Sequence, residues 1–226
     1  MVIPENLVTE TTVLVLIAVV VILLCQILMA GSLDKEDTVR RVLTVERRSV
    51  EKYDGAAEKS QIMRALECAI AAPNHFLTEP WRFRLLGEKG KEKLGELAAK
   101  FKSDGSFGSV PDYLVVSIAK IKARNGVTAD FENWNVNALE DHAAVSCAIQ
   151  NFMLACASMG LATKWMTGKM GIAGNVILKE CCGISEHEGE HYMGTIFVGE
   201  PAVPTEDMKV PERKTGLNDP VFVQCA

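Results

Sequence analysis

The chain has 226 residues, 48% of them hydrophobic, and a formal net charge of −5. That length holds one domain, at most two, with enough apolar surface for a core that needs no disulfide or metal. The mild acidity excludes a dedicated nucleic-acid binder, which would show a concentrated basic face. The 7 cysteines are odd in number, and the adjacent pair Cys181-Cys182 fits neither a zinc spacing nor a disulfide framework. They indicate a reducing compartment and no metal site. Cys68, Cys147 and Cys156 sit in apolar, helix-like settings and are expected to be buried as small hydrophobes.

In chain order, residues 1–11 form a short tail. Thr12 to Gly31, TVLVLIAVVVILLCQILMAG, is uncharged and long enough to cross a hydrocarbon core of ~30 Å at ~1.5 Å per residue. No Lys or Arg precedes it, so a signal peptide is disfavoured and a retained transmembrane helix over 12–31 is expected. Lys35, Arg40, Arg41, Arg47 and Arg48 follow it. By the positive-inside rule they place a single-pass membrane protein with its domain, residues 36–226, facing the cytoplasm.

Within that domain, apolar periodicity predicts helices over Glu36–Arg48 and Glu58–Ala72, the latter stopped by Pro73. A strand is predicted over Trp81–Leu86, an amphipathic helix over Lys89–Lys102, and a β-branched central strand over Tyr113–Lys120. A long apolar helix follows over Asn137–Met159, then a helix over Gly174–Cys182 and a strand over Tyr192–Val198. Strands do not alternate strictly with helices, so the fold class is α+β, with helices layered on a modest sheet.

No nucleophile elbow, Walker loop, dinucleotide fingerprint or zinc-protease helix is present. His187 and His191 in EHEGEH have the spacing of a metal pair, but Gly189 breaks the helix that spacing needs, and a solvated loop is expected. No catalytic acid–base pair stands out.

Three segments, in order, carry a resemblance. They are Glu46-Arg47-Arg48-Ser49-Val50, then Ala72-Pro73-Asn74-His75 running to Thr78-Glu79-Pro80-Trp81, then Gly160-Leu161-Ala162-Thr163-Lys164-Trp165-Met166-Thr167-Gly168. A weaker fourth is Val210-Pro211-Glu212-Arg213-Lys214-Thr215-Gly216-Leu217. From about residue 36 to the end the chain resembles the nitroreductase family of flavoproteins. The resemblance implies a mainly antiparallel sheet flanked by helices, bound FMN, and NADH or NADPH as reductant in a ping-pong reaction. It implies a homodimer with flavin sites at the interface, and nitro, quinone-like or related small molecules as electron acceptors.

The residues suit those roles. Arg47 and Arg48 offer planar forks and Ser49 a hydroxyl for a phosphate dianion. Lys52, Arg213 or Lys214 could add charge, because Glu51 stands where many members carry a second base. Asn74 and His75 can hydrogen-bond ribityl or ring atoms. Backbone amides of Trp165, Met166 and Thr167 can stabilise charge at the ring edge. The stretch Ala155, Cys156, Ala157, Ser158, Met159 and Gly160 corresponds to one near the nicotinamide, or is plain helix packing. The expected catalytic role of side chains is none, since the flavin carries the chemistry.

Two alternatives stay open. Iodotyrosine deiodinase shares the T-E-P-W string and an N-terminal anchor, although residues 123–136 lack the Tyr and Lys of its substrate lid. A membrane-tethered flavin-fold module without catalysis would fit Glu51 and Leu77, the latter standing where many members carry Asn.

Overall fold

The computed structural model of the chain describes residues 12–13, 15–23, 35–101, 110–122, 126–167, 171–185 and 189–212. Chain contacts divide it into Met1–Arg41 and Val42–Ala226. In the first unit, residues 15–23 are helical and helix α1 spans Lys35–Arg41. Among the described residues no helix is long and apolar enough to cross a membrane. This corrects the anchor expected over 12–31, together with the single-pass membrane localisation and the cytoplasm-facing orientation. Residues 24–31 lie outside the described residues.

The second unit opens on a single π-helical turn, Val42–Glu46. The Arg47 amide donates to the Val42 carbonyl, five residues back, at 3.0 Å. The helix predicted through Arg48 therefore leaves α-geometry after Arg41. The β-branched run Val42, Thr44 and Val45 is a weak α-former, which is the local reason.

The elements that follow are β1 (Tyr53–Gly55), α2 (Lys59–Ile70), β2 (Trp81–Leu85), α3 (Glu88–Lys100), β3 (Asp112–Ile118), α4 (Val136–Ser158), β4 (Ala162–Met166), α5 (Gly174–Cys182) and β5 (His191–Pro201). The long strand β5 organises the sheet. It pairs antiparallel with β3, β4 and β1, and β3 pairs antiparallel with β2.

Strand alternation sorts the core into two layers. Leu114, Val116 and Ile118 of β3 join Ile196 and Val198 of β5 under α2 and α4, with Phe152, Ile149 and Ile62 as the bulk. Tyr113 and Val115 join Phe197 on the other face, under Leu94 of α3 and Ile177 of α5. Both faces are covered, which is why β3 reads as a continuous apolar run. Helix starts are set locally. Glu58 and Gln61 form a capping box on α2, and the Asn135 side chain accepts from the Ala138 amide on α4. Cys156 is buried as expected, while Cys68 and Cys147 are exposed, because they fall on the outer faces of α2 and α4.

Candidate functional site

The first segment is attached to the sheet. Ser49 bridges Thr163 of β4 in parallel, and the Val50 amide donates to the Thr163 carbonyl at 3.1 Å. The two expected contact regions, 47–49 and 165–167, are thus joined through one strand edge. Glu51, the departure from the family pattern, pairs with Lys164 of β4 at 2.7 Å. Its charge is met by that ammonium.

Arg47 is half-buried and Ser49 exposed, whereas Arg48 keeps only 7% of its exposure. Its Nη1 donates to the Thr44 carbonyl at 3.0 Å and the Arg47 carbonyl at 3.2 Å. Among the described residues Nε and Nη2 are buried with no hydrogen-bond partner. A buried cation in that condition carries a desolvation cost of several kcal/mol until an anion completes it. A phosphate or carboxylate is the chemistry that fits, because two adjacent guanidinium nitrogens form a bidentate fork.

The second segment is a strained turn held against α4. Phe76, Leu77 and Glu79 all have positive φ, at 54°, 51° and 45°. Left-handed backbone costs roughly 1 kcal/mol or more for each bulky residue and persists only where other contacts impose it. Those contacts are present. Asn74 Oδ1 accepts from the Glu79 amide at 3.0 Å, Thr78 Oγ1 donates to Asp141 Oδ1 at 2.8 Å, and His75 Nδ1 meets Glu140 Oε1 at 2.6 Å. Asp141 is buried. Burial raises its carboxyl above the ordinary value, with the Thr78 bond opposing and Glu140 adding. His75 and Asn74 are thereby fixed beside the first turns of α4, and Leu77 points outward.

The third segment borders a cavity. Trp165 is half-buried and its Nε1 donates to the Met193 carbonyl at 3.1 Å. The indole fits because residue 194 is glycine, with φ 150°, and any Cβ there would overlap the ring. Met166 turns its side chain into the core under α3 and α5, so it can serve a ligand only through its backbone. Thr167 is exposed at the cavity mouth. The cavity measures about 700 Å³ and is walled by His142, Trp165, Thr167, Ile172, His191 and Tyr192, among others.

The remaining expectations fall differently. Cys156 and Ala157 are buried in the core, and Ala155 and Met159 pack against it. Only Ser158 and Gly160 are exposed. The stretch 155–160 is therefore the packed end of α4 and the turn after it, which suits the plain helix packing considered for it. Arg213, Lys214, Gly168 and His187 lie outside the described residues. Sequence reasoning missed His142, Glu140 and Lys164, and read His191 as loop. A signal existed for His191, since it opens the alternating run HYMGTIFV. None existed for the other three.

An antiparallel sheet layered by helices, a buried arginine open to an anion and an aromatic-walled cavity define a small-molecule-binding α+β protein. The comparison with known families makes this particular. The model described as the nitroreductase family matches residues 44–200, and the chain belongs to that family. A protein provisionally named NAD(P)H nitroreductase YfhC, from Bacillus subtilis, is 34% identical over 144 residues, covering 60% of this chain and 72% of its own. The crystal structure of a nitroreductase-like family protein from Bacillus cereus superposes with a TM-score of 0.61 at 27% identity, over 82% of this chain and 95% of that one. The NADPH:FMN oxidoreductase of Vibrio harveyi, solved with NAD+, shares the fold with a TM-score of 0.62 at 22% identity, over 83% of this chain and 76% of that one.

Proposed function

We propose that this chain is an FMN-dependent oxidoreductase that uses NADH or NADPH to reduce small nitro, quinone-like or related acceptors. The observation that carries the reading is Arg48, a buried guanidinium with Nε and Nη2 unpartnered among the described residues. It lies within the segment that Ser49 ties to β4. Arg47, Arg48 and Ser49 would hold the cofactor phosphate, with Arg213 and Lys214 as further charge. Asn74 and His75 would bond ribityl or ring atoms, and the backbone of Trp165, Met166 and Thr167 would border the ring. FMN, when bound, supplies the two-electron redox chemistry. The protein's share is position, exclusion of water and fixed donors at the ring edge. In a ping-pong order the nicotinamide leaves before the acceptor enters, so one cavity can serve both.

A homodimer is part of this reading. Val136 and Leu139 at the start of α4 are 67% and 55% exposed, beside the exposed Trp134. Such an apolar cluster suits burial against a second copy. The test is spectroscopic. The purified chain should be yellow, and NADH or NADPH should bleach it without air, with colour returning on addition of an acceptor. A colourless chain that takes up no added FMN would refute the proposal.

A further inference from the structure

The cavity wall contains two imidazoles that the proposed cofactor roles do not use. His191 opens β5 and His142 sits in the second turn of α4. Phe131 stacks on His191 with ring centroids 4.5 Å apart and an interplanar angle of 13°. Trp134 meets both histidines edge-on, at 5.4 Å from His142 and 5.8 Å from His191. Phe131 and Trp134 pack on the two imidazoles, which line the cavity.

The loop carrying these rings is built to hold them. Asp130 accepts from the Glu132 and Asn133 amides at 2.9 and 3.1 Å and from Asn133 Nδ2 at 2.8 Å. Asn135 Nδ2 donates to the Thr128 carbonyl at 3.0 Å while its Oδ1 caps α4. Trp134 itself is left-handed, with φ 50°. Strain of that kind is retained where surrounding contacts fix a side chain in place.

A histidine used only for packing would give its ring nitrogens to a backbone or side-chain partner. Here, among the described residues, both imidazoles make ring contacts and neither ring nitrogen has a protein hydrogen-bond partner. Burial, and then the neighbouring His142, push the His191 pKa below its ordinary value. At neutral pH it is an uncharged ring offering one donor and one acceptor to the cavity.

We propose that His191, assisted by His142, is the specificity-determining hydrogen-bonding group of the acceptor cavity, gripping an oxygen of a planar acceptor whose ring lies in the cavity. The inference rests on the proposed function in taking this cavity as the place where the acceptor meets the flavin. It goes further in assigning acceptor choice to two residues outside the family-like segments. Aromatic shape alone would admit any flat hydrocarbon. An imidazole N–H in the cavity wall favours flat molecules carrying a carbonyl or nitro oxygen, because leaving it unpaired on binding costs affinity.

The probes are menadione and 2-methylnaphthalene, which share a flat skeleton and differ in the two oxygens. Tryptophan fluorescence quenching gives a dissociation constant for each on the FMN-loaded full chain. The ratio of the two constants cancels differences in their hydrophobicity when variants are compared. In His191→Phe, which preserves the stack on Phe131, the ratio should move about five- to tenfold against menadione, the size of one net hydrogen bond. His142→Phe should move it less, in the same direction. His191→Gln, which keeps an N–H, should hold the ratio closer to wild type than His191→Leu, and this pair decides the matter if the Phe variant does not fold. An unchanged ratio, or equal weakening of both probes, would overturn the proposal. The titration is repeated on chain without added FMN, and flavin uptake is scored separately. A chain that binds no flavin therefore fails the proposed function visibly, while the ratio still judges the histidines.

Discussion

Two arginines in this molecule, Arg48 buried and Arg84 half-buried, stand in opposite states. Arg84, on β2, gives both terminal nitrogens to Glu190 at 2.8 and 2.7 Å, and Nη1 also reaches Ser117 Oγ at 2.8 Å. Glu190 in turn accepts from the Ser117 hydroxyl. Arg48, beside the edge of β4, satisfies one nitrogen with backbone carbonyls and leaves two without a partner among the described residues. A guanidinium cannot lose its proton in this environment, so its charge has to be met by something. Arg84 is met by its own chain and is architecture. Arg48 has no such match among the described residues, and under the proposed function its charge is met by the cofactor phosphate.

The largest expected effect tests the first half of that contrast. Arg84→Met leaves the Glu190 carboxylate, 9% exposed, with its main partner gone; breaking a fully buried pair costs about 3–5 kcal/mol, and this half-buried one should fall at the lower end of that range. Urea denaturation of the flavin-free chain should show this. Burial pushes the Glu190 carboxyl up, but bonds from Arg84 and Ser117 and the charge of Arg84 outweigh it and hold the group below its ordinary range. A depressed carboxyl stabilises the fold above its unfolded pKa, near 4.3, and that contribution fades as pH falls through the lower folded value. The gap between wild type and Arg84→Met should therefore be full at neutral pH and close in acid. A pH-independent gap would mean that Arg84 acts by packing alone.

Arg48→Met should do the reverse. Without FMN its stability should match or exceed wild type, since an unmet charge is removed. FMN affinity should fall about tenfold to a hundredfold, the value of a charge-assisted bond at ~1.5–3 kcal/mol. Flavin fluorescence titration reads the second quantity and denaturation the first. A flavin-free variant as unstable as Arg84→Met would place both arginines in the same class and dissolve the comparison.

The smallest effect comes from a pair that is neither buried nor open. His75 and Glu140 touch at 2.6 Å with side chains 51% and 33% exposed. Glu140→Gln should cost under about 1 kcal/mol, and the loss should shrink with salt. A larger loss would mean that this contact, rather than the Thr78–Asp141 bond, imposes the left-handed turn at Phe76 and Leu77.

Much of this arrangement could be read from residue order. The α5 range, Gly174–Cys182, agrees with the sequence reading at both ends, and α4 differs by a single residue at each. Long apolar periodicity and a terminating glycine are strong local signals. β1 and β4 were missed for a physical reason. Tyr53–Gly55 is three residues long, and Ala162–Met166 carries Thr, Lys and Trp in place of an apolar alternation, so its strand state depends on β5. The segment proposed to hold the cofactor phosphate was visible as a basic motif, but which of its two neighbouring arginines is buried was not, because a π-turn decides it. Two histidines meeting through a tryptophan is a tertiary fact that no local pattern encodes.

Trp165 rests in space that Gly194 leaves empty, with the indole lying where a side chain of β5 would otherwise begin. The wall of the cavity is thus moulded by the main chain of the central strand. A lineage can alter Thr167 or His142 one at a time and retune what enters. It cannot place even alanine at 194 without surrendering the indole in the same step, so these two positions are expected to change together. Laboratory evolution of this scaffold should find variants at 194 only in company with a smaller residue at 165.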